Sequence, residues 1–438
     1  MNKKTGSRVA ESSPPAINRI AVSGYKSISK ECSVNIKSLT VFAGANSSGK
    51  SSIIQPLLLL KQTLEASYDP GPLRLTGPNV RFSSGEQLLC KSAPSGEPRV
   101  FSVGIGVGEV FWTCKFSWKA HKGFELFAMI KSSKGVETSF QPGMSSAELK
   151  DKVKRIMVLV PSANDRLAIT RDRCFLGVNV FLNKAKESSF QRPLARGLGS
   201  VIRKIIHLPG LRGNPERTYP VTAVGKTYQG TFQEYTASII ASWRNQNGQR
   251  HLRAIGKDME RLGLTWKVSA VQKNDTEVEL QVGRLRHPAR GGAHDLVSIA
   301  DVGFGVSQTL PVLVALHVAE PGQMVFLEQP EIHLHPRAQL ALAEILADAA
   351  NRGVIVVAET HSSILLRGIQ ALVAEGQLSP DKVSLNWFKR SAQDGTTEVV
   401  QGHFDHAGAF GDWPEDFDEV SLKAEARYLD AAESVLQG

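Results

Sequence analysis

The chain has 438 residues, 42% hydrophobic and 21% charged, a composition that fits a soluble globular protein of two or three units and excludes disordered and fibrous classes. No apolar run reaches the length of a membrane span, and Cys32, Cys90, Cys114 and Cys174 are too scattered for a zinc or disulfide framework. The net charge of +10 is uneven: residues 115–204 hold 18 Lys/Arg against 7 Asp/Glu, and residues 401–438 hold 2 against 9. A basic middle suits a nucleic-acid backbone, a solvated face, or a landing site for the acidic tail of the same chain.

Residues 1–16 are polar, carry Pro14-Pro15 and lack an apolar signal region. They read as a disordered lead-in to a cytoplasmic protein. Residues 17–22 and 34–36 read as strands, and 39–43 as a third, short and buried. That third strand runs into Gly44-Ala45-Asn46-Ser47-Ser48-Gly49-Lys50-Ser51, which fits the phosphate-binding pattern Gly, four residues, Gly-Lys-Ser. A helix follows from Ser52, with Pro56 in its first turns. Glycines let backbone N–H groups point inward around a polyphosphate, and the helix N-terminus adds positive charge there. Lys50 would reach the β- and γ-phosphates, and Ser51 would ligate Mg²⁺ through its hydroxyl.

Residues 68–96 are rich in Pro, Gly and Ser, with one strand and its turn near 76–82. From 99 to 140 the pattern alternates, with Phe101, Val103, Ile105 and Val107 on one face, and predicts an antiparallel meander. Residues 147–160 read as a helix running into a strand, 175–182 as a strand, and 200–207 as an amphipathic helix. The irregular stretch 208–219 carries Arg212 and Arg217 as charge anchors. Two helices, 231–243 and 248–262, precede a hairpin over 266–271 and 277–282. No heptad pattern persists and no repeat is visible, so this middle reads as a compact mixed insertion without a long coiled coil.

Three further segments follow. In 299–308, Gly303 and Gly305 loosen the backbone and Ser307 falls at a helix start; an anion-binding turn and an ordinary N-cap both fit. In 324–331 an apolar strand ends in Glu328-Gln329-Pro330-Glu331, the way phosphate-loop enzymes place a carboxylate beside Mg²⁺. Glu328 takes the metal-holding position, and Pro336 opens a helix to Ala350. Glu331, His333 and His335 lie in a connecting loop, which speaks against a separate metal centre. In 354–362 a buried parallel strand ends in Glu359-Thr360-His361-Ser362, where His361 could sense the γ-phosphate.

Together these motifs resemble the ABC-like ATPases of the SMC and overcoming-lysogenization-defect nuclease branch, and a group of bacterial AAA-family ATPases. The latter share the Asn-Ser-Ser-Gly-Lys-Ser loop, the Glu-Gln-Pro-Glu segment and a tail like Gly411-Asp412-Trp413-Pro414-Glu415-Asp416-Phe417. The resemblance implies an α/β P-loop NTPase of the ABC/SMC head type, split by a mixed insertion. Its parts would be 17–115 and 291–390 for the head, 116–290 for the insertion and 391–438 for an acidic extension. It implies ATP and Mg²⁺ held by residues 44–52 (including Ser52) with Glu328, and catalytic roles for Gln329, Glu331 and His361. It implies a homodimer closed around two ATPs, with Ser307 of one chain on the γ-phosphate held at Lys50 of the other. Tyr25 and Lys26 fall where such ATPases contact the base, and Gln55, Gln62 or Gln87 could be their metal-sensing glutamine.

Gln329 departs from the pattern, since it stands where these enzymes carry the water-activating glutamate and an amide is no general base. The expectation is clear ATP binding with slow hydrolysis, so that ATP acts as a switch on an effector encoded nearby or on nucleic acid, in phage defence. The alternative is a DNA-processing ATPase. A self-contained nuclease is disfavoured, because the roughly 77 residues after His361 show no nuclease metal motif; a membrane transporter is disfavoured by the insertion.

Overall fold

A computed structural model describes residues 15–91, 99–154, 165–182, 189–244, 248–285, 294–411, 423 and 425–430. The expected lead-in, the strand beyond residue 154 and the Trp413 tail motif lie outside the described residues. In chain order the elements begin with β1 (Ile17–Ser23), β2 (Cys32–Asn35), β3 (Leu39–Gly44) and α1 (Lys50–Leu64). The meander follows as β4 (Val100–Val107), β5 (Val110–Lys119), β6 (Gly123–Ser133) and β7 (Val136–Phe140), then α2 (Ser146–Lys154). Next come β8 (Arg166–Asp172), β9 (Phe175–Phe181), β10 (Ser189–Pro193), α3 (Leu198–Arg203), β11 (Ile206–Leu208) and β12 (Tyr219–Pro220). Then come α4 (Thr236–Ser242), α5 (Gln249–Arg261), β13 (Val268–Gln272), β14 (Glu277–Gly283) and β15 (Leu296–Ser298). The chain closes with α6 (Phe304–Val318), β16 (Met324–Glu328), α7 (Pro336–Asn351), β17 (Ile355–Thr360), α8 (Ser363–Ala374), β18 (Val383–Arg390) and β19 (Thr397–Gly402).

The central sheet has the order β11-β16-β17-β3-β18-β19 and is parallel except for β19. Parallel strands covered on both faces are apolar along most of their length, which is why β3, β16 and β17 are hydrophobic apart from Thr40 and the polar C-terminal ends of β16 and β17. Their residues alternate between two cores. Leu39, Val41, Val325, Leu327, Val356 and Ala358 join the core built on α6, α7 and α8. Phe42, Met324, Phe326, Ile355 and Val357 face the other core, shared with α1 and the antiparallel sheet β2-β1-β4-β5-β6-β7. The parallel sheet is therefore the middle of three layers. The longest described helix, α7, has 16 residues, so no coiled-coil arm is built from the described chain.

The expected domain limits need correction. A cut at 115/116 falls inside β5, which pairs along its length with β4 and β6. Ile206–Leu208, inside the expected insertion, is a strand of the central sheet beside β16, and residues of β13 and β14 share its core. Residues 391–402 likewise complete the β18–β19 hairpin of the same sheet. The expected 200–207 helix stops at Arg203 because its last residues pair with β16 instead.

Candidate functional site

The phosphate loop turns where β3 ends. Gly44 has φ +143°, Ser47 φ +60° and Gly49 φ +100°, left-handed conformations that free the loop N–H groups from regular pairing. The space is as tight as the backbone is strained. A Cβ on Gly44 would lie 2.1 Å from the Phe388 carbonyl, and one on Gly49 2.2 Å from Thr397 Oγ1. Thr397 latches the loop: its Oγ1 donates to the Ser48 carbonyl at 2.9 Å, and its N–H donates to the Ser27 carbonyl at 2.8 Å. Lys50, 3% exposed, donates its ammonium to the Gly44 and Ala45 carbonyls at 3.0 and 2.8 Å. Burial pulls its pKa below the ordinary lysine value, and the nearby charges of Glu359 and Glu331 oppose that. Because α1 starts at Lys50 behind an uncapped Gly49, its first N–H groups and dipole face the loop.

The acidic side is set by strand register. Glu328 closes β16 and Glu359 lies beside it on β17, which in turn adjoins β3. Ser51 Oγ reaches both oxygens of Glu359, at 3.1 and 2.9 Å. Burial pushes the Glu359 carboxyl up to about 7, against the opposing Ser51 bond and Lys50 charge. Glu328 points elsewhere: His207 Nε2 donates to Oε1 at 3.1 Å and Gly210 N–H donates to Oε2 at 3.1 Å. Burial works to raise Glu328, but the His207 and Gly210 bonds outweigh it and hold its carboxyl below the ordinary range. Asn79 donates to the other ring nitrogen of His207 at 3.0 Å, which fixes the ring with its proton on Nε2.

Gln329 sits at φ +44°, a left-handed conformation in a non-glycine residue, with its N–H bonded to the Glu359 carbonyl at 2.8 Å. Glu331 is buried. Thr360 Oγ1 and the His361 N–H donate to its Oε1 at 2.6 and 3.1 Å, and its Oε2 has no partner among the described residues. Burial raises its carboxyl pKa above the ordinary value. Burial and the Lys50 charge lower that of His361, so the imidazole is neutral at pH 7.

A cavity of about 760 Å³ brings together Asn46, Ser47, Ser48, Gly49, Lys50, Ser51 and Ser52 with Gln329, Glu359 and His361. A second, of about 640 Å³, shares Asn46, Gln329 and His361 and adds Glu331. Gly44 and Ala45 contribute through the carbonyls that hold Lys50. Glu328 lines neither cavity, and the carboxylate against Ser51 is Glu359. Ser307 is also placed apart. It is buried, donates to the Phe304 carbonyl at 3.1 Å and lines a separate small cavity with Arg212, so its hydroxyl is not presented outward.

Tyr25 does not line the main cavity; it is fully buried against Phe101 as a core residue. Lys26 does reach the cavity, with its Nζ on Gln55 Oε1 at 2.6 Å. Gln55 and Gln87 line it too. Gln62 instead is buried, with its Oε1 accepting the Val80 N–H and its Nε2 donating to the Arg74 carbonyl. Of the charge anchors, Arg217 pairs with Asp301 at the surface, whereas Arg212 is buried inside the site's scaffold. Sequence reading missed Glu359. Its signal was an acidic residue ending an apolar strand, but its importance depends on that strand lying next to β3.

The architecture can hold a polyphosphate against the loop N–H groups and Lys50, with oxygen donors at Ser51 for a hard cation. Two family models match the chain. One, described as an AAA ATPase domain, covers residues 16–120, and one, described as "AAA domain, putative AbiEii toxin, Type IV TA system", covers residues 245–367. The first contains the phosphate loop; the second contains Ser307, Glu328, Gln329, Glu331, Glu359 and His361. No curated protein matches. Among solved structures, the chain is similar to an SMC head bound to the C-terminal winged-helix domain of ScpA, at 13% identity and TM-score 0.47 over 88% of this chain and 98% of that one. It is also similar to the SMC head domain from Thermotoga maritima, at 9% identity and TM-score 0.39 over 88% and 98%. A third likeness, at 10% identity and TM-score 0.41 over 89% and 96%, is to an SMC head with an extended coiled coil bound to the C-terminal domain of ScpA derived from Pyrococcus furiosus. Both matched segments are of AAA ATPase type, and together they contribute the two sides of one candidate phosphate-binding site.

Proposed function

We propose that the protein is an ATP-dependent switch that binds Mg·ATP at the phosphate loop, closes as a homodimer around two nucleotides and hydrolyses them slowly. The observation that carries this reading is the state of Lys50. Its buried ammonium is held by two carbonyls of its own loop, in the wall of a cavity wide enough for a nucleotide. A triphosphate would compete for that ammonium and for the free N–H groups at the start of α1, and charge-assisted bonds to phosphate are the stronger ones. Mg²⁺, when bound, would supply charge neutralisation on the phosphate oxygens, with Ser51 as a ligand.

Slow turnover follows from the groups around the γ-phosphate position. Gln329 can orient a water but cannot take its proton. His361 is neutral and lines the cavity, so it suits sensing the γ-phosphate. Glu331 is the carboxylate in reach of the adjoining cavity, and it is already engaged by Thr360 and His361. In the closed dimer Ser307 would exchange its bond to Phe304 for the partner's phosphate. The output would be an effector protein or nucleic acid, in a phage-defence setting.

A second reading, a DNA-processing ATPase, is favoured by one observation. In the small sheet β10-β9-β8, Arg166 lies 5.8 Å from the ring centroid of Phe181 and Arg192 5.3 Å from that of Phe190, with both rings partly exposed. Arginine over aromatic faces suits single-stranded nucleic acid.

Light scattering on the full chain, with and without ATP and then with duplex or single-stranded DNA, tests both readings. Mass should double with Mg·ATP for the unaltered chain and stay unchanged for Lys50→Ala. An unchanged mass with ATP would count against the dimer, and brisk turnover would count against the slow switch. A mass increase with DNA alone would favour the second reading.

A further inference from the structure

We infer that Glu359, at the end of β17, supplies the carboxylate of the magnesium site, and that Glu328 is a structural tie behind it; this rests on the nucleotide-binding reading above. Three observations lead there independently of motif position. Ser51 Oγ contacts both Glu359 oxygens, at 3.1 and 2.9 Å, so the hydroxyl and the carboxylate already converge on one point. Glu359 lines the same cavity as Lys50 and Ser51, and Glu328 does not. Both Glu328 oxygens are engaged away from that point, by His207 Nε2 and by the Gly210 N–H.

Sheet order explains the exchange of roles. β17 is the neighbour of β3, with Glu359 in register with Phe42, two residues before the loop begins at Gly44. Glu328 lies one strand further out. At about 4.8 Å per strand step, its backbone is ~10 Å from that of β3, while that of Glu359 is about half as far. Magnesium is bound through one or two protein oxygens together with phosphate oxygens and water, and the Ser51–Glu359 pair offers such a donor set. The cation would enter between the hydroxyl and the carboxylate or hold a water that bridges them.

The bonds on Glu328 have their own consequence. Through His207 and Gly210 its carboxylate ties β11 and the turn after it to the end of β16. That makes Glu328 a positioning residue, whose loss would loosen the 207–212 turn rather than remove a ligand.

The test is the Mg²⁺ dependence of nucleotide affinity, read by fluorescence titration of a labelled ATP on the full chain, first in EDTA and then across a Mg²⁺ series. For the unaltered chain Mg²⁺ should tighten binding at least ten-fold. Glu359→Gln, compared with its own affinity in EDTA, should lose most of the tightening. Glu328→Gln should keep most of it. Glu359→Asp, which draws the carboxylate back by one methylene, should keep some tightening with half-saturating Mg²⁺ raised several-fold, and serves if the amide variant does not fold. Full tightening in Glu359→Gln or Glu359→Asp, or its loss in a folded Glu328→Gln, would overturn the assignment. Failure of the unaltered chain to bind ATP in any buffer would instead overturn the functional reading on which it rests.

Discussion

Ser51 and Glu359 lie 308 positions apart in the chain, and the hydroxyl of one donates to the carboxylate of the other at 2.9 Å. That single contact joins the N-terminal phosphate loop to the C-terminal acidic strand end. It forms because β17 pairs with β3 in the central sheet, which brings Thr360 level with Ala43 just before the loop. The site is thus a product of sheet order, and its chemistry cannot form in either end of the chain alone.

Glu359 gives the nucleotide-free protein a specific pH dependence. Burial raises its carboxyl from the ordinary 4.5 to about 7. Below pH 4.5 both folded and unfolded chains hold the proton, and the folded state carries no penalty from this group. Between 4.5 and 7 the unfolded chain releases the proton while the folded chain keeps it, so stability falls as pH rises, then levels off above 7. The full difference is on the order of 3 kcal/mol. Glu359→Gln mimics the protonated form. In metal-free buffer without nucleotide, its denaturant midpoint should match that of the unaltered chain near pH 4.5 and exceed it at pH 8. Equal midpoints at both pH values would show that Glu359 ionises freely in the fold.

Lys50→Ala should weaken ATP binding by about a hundred-fold, the scale of a lost charge-assisted phosphate contact. Without nucleotide, the change in melting temperature should stay within about 3 °C, because two opposing effects are removed together. Two hydrogen bonds to loop carbonyls disappear, and so does the cost of burying an ammonium. Calorimetric titration with ATP, beside a thermal melt of each protein, checks both halves.

Gly49→Ala tests whether the loop shape is fixed by dihedral or by packing. The added methyl would lie 2.2 Å from Thr397 Oγ1, at a φ of +100° that side chains rarely adopt. We expect a loss of about 2–4 kcal/mol in urea unfolding. Adding Thr397→Ala removes the closest atom but leaves the dihedral cost and breaks the latch onto Ser48. The double variant should therefore recover only part of the loss, with a non-additive cycle of about 1 kcal/mol or more. Full recovery would mean that packing alone sets the requirement for glycine.

What could be read from the sequence divides along local and non-local lines. The phosphate loop, β3, β16 and β17 were legible because each is a short pattern bounded by its own signals. The three residues Ile206–Leu208 were not, since a strand that short has no period of its own and follows a helix directly. Its place beside β16 is decided by packing across the sheet. The orientation of Glu328 met the same difficulty. Its place at the end of β16 was legible, but that its carboxylate turns to His207 Nε2 and the Gly210 N–H depends on residues more than a hundred positions upstream. Ser307 was read at the helix start, but α6 begins three residues earlier at Phe304 behind Gly303, so Ser307 lies inside the first turn and bonds back to the Phe304 carbonyl.

Arg212 is the residue through which the acidic strand end and the Ser307 helix can influence each other. Its Nη2 donates to the Glu328 and Gln329 carbonyls at 2.8 and 3.3 Å, and its Nη1 donates to the Gln308 carbonyl, one residue after Ser307, at 3.2 Å. Burial lowers its pKa to about 10, with the charges of Glu331 and Glu328 opposing, so it stays charged at neutral pH. Arg212→Met would leave three carbonyls without this donor and the two carboxylates without a nearby cation, at a cost of about 3 kcal/mol. Arg212→Lys should recover little, because one ammonium cannot span both carbonyl groups as the planar fork does. The phosphate loop does not touch Arg212, so ATP affinity in EDTA should change less than three-fold, while turnover and ATP-driven doubling of mass should both fall about ten-fold. A variant with weakened ATP affinity but normal doubling of mass at saturating ATP would show that Arg212 serves the pocket itself, and that the two motifs are not coupled through it.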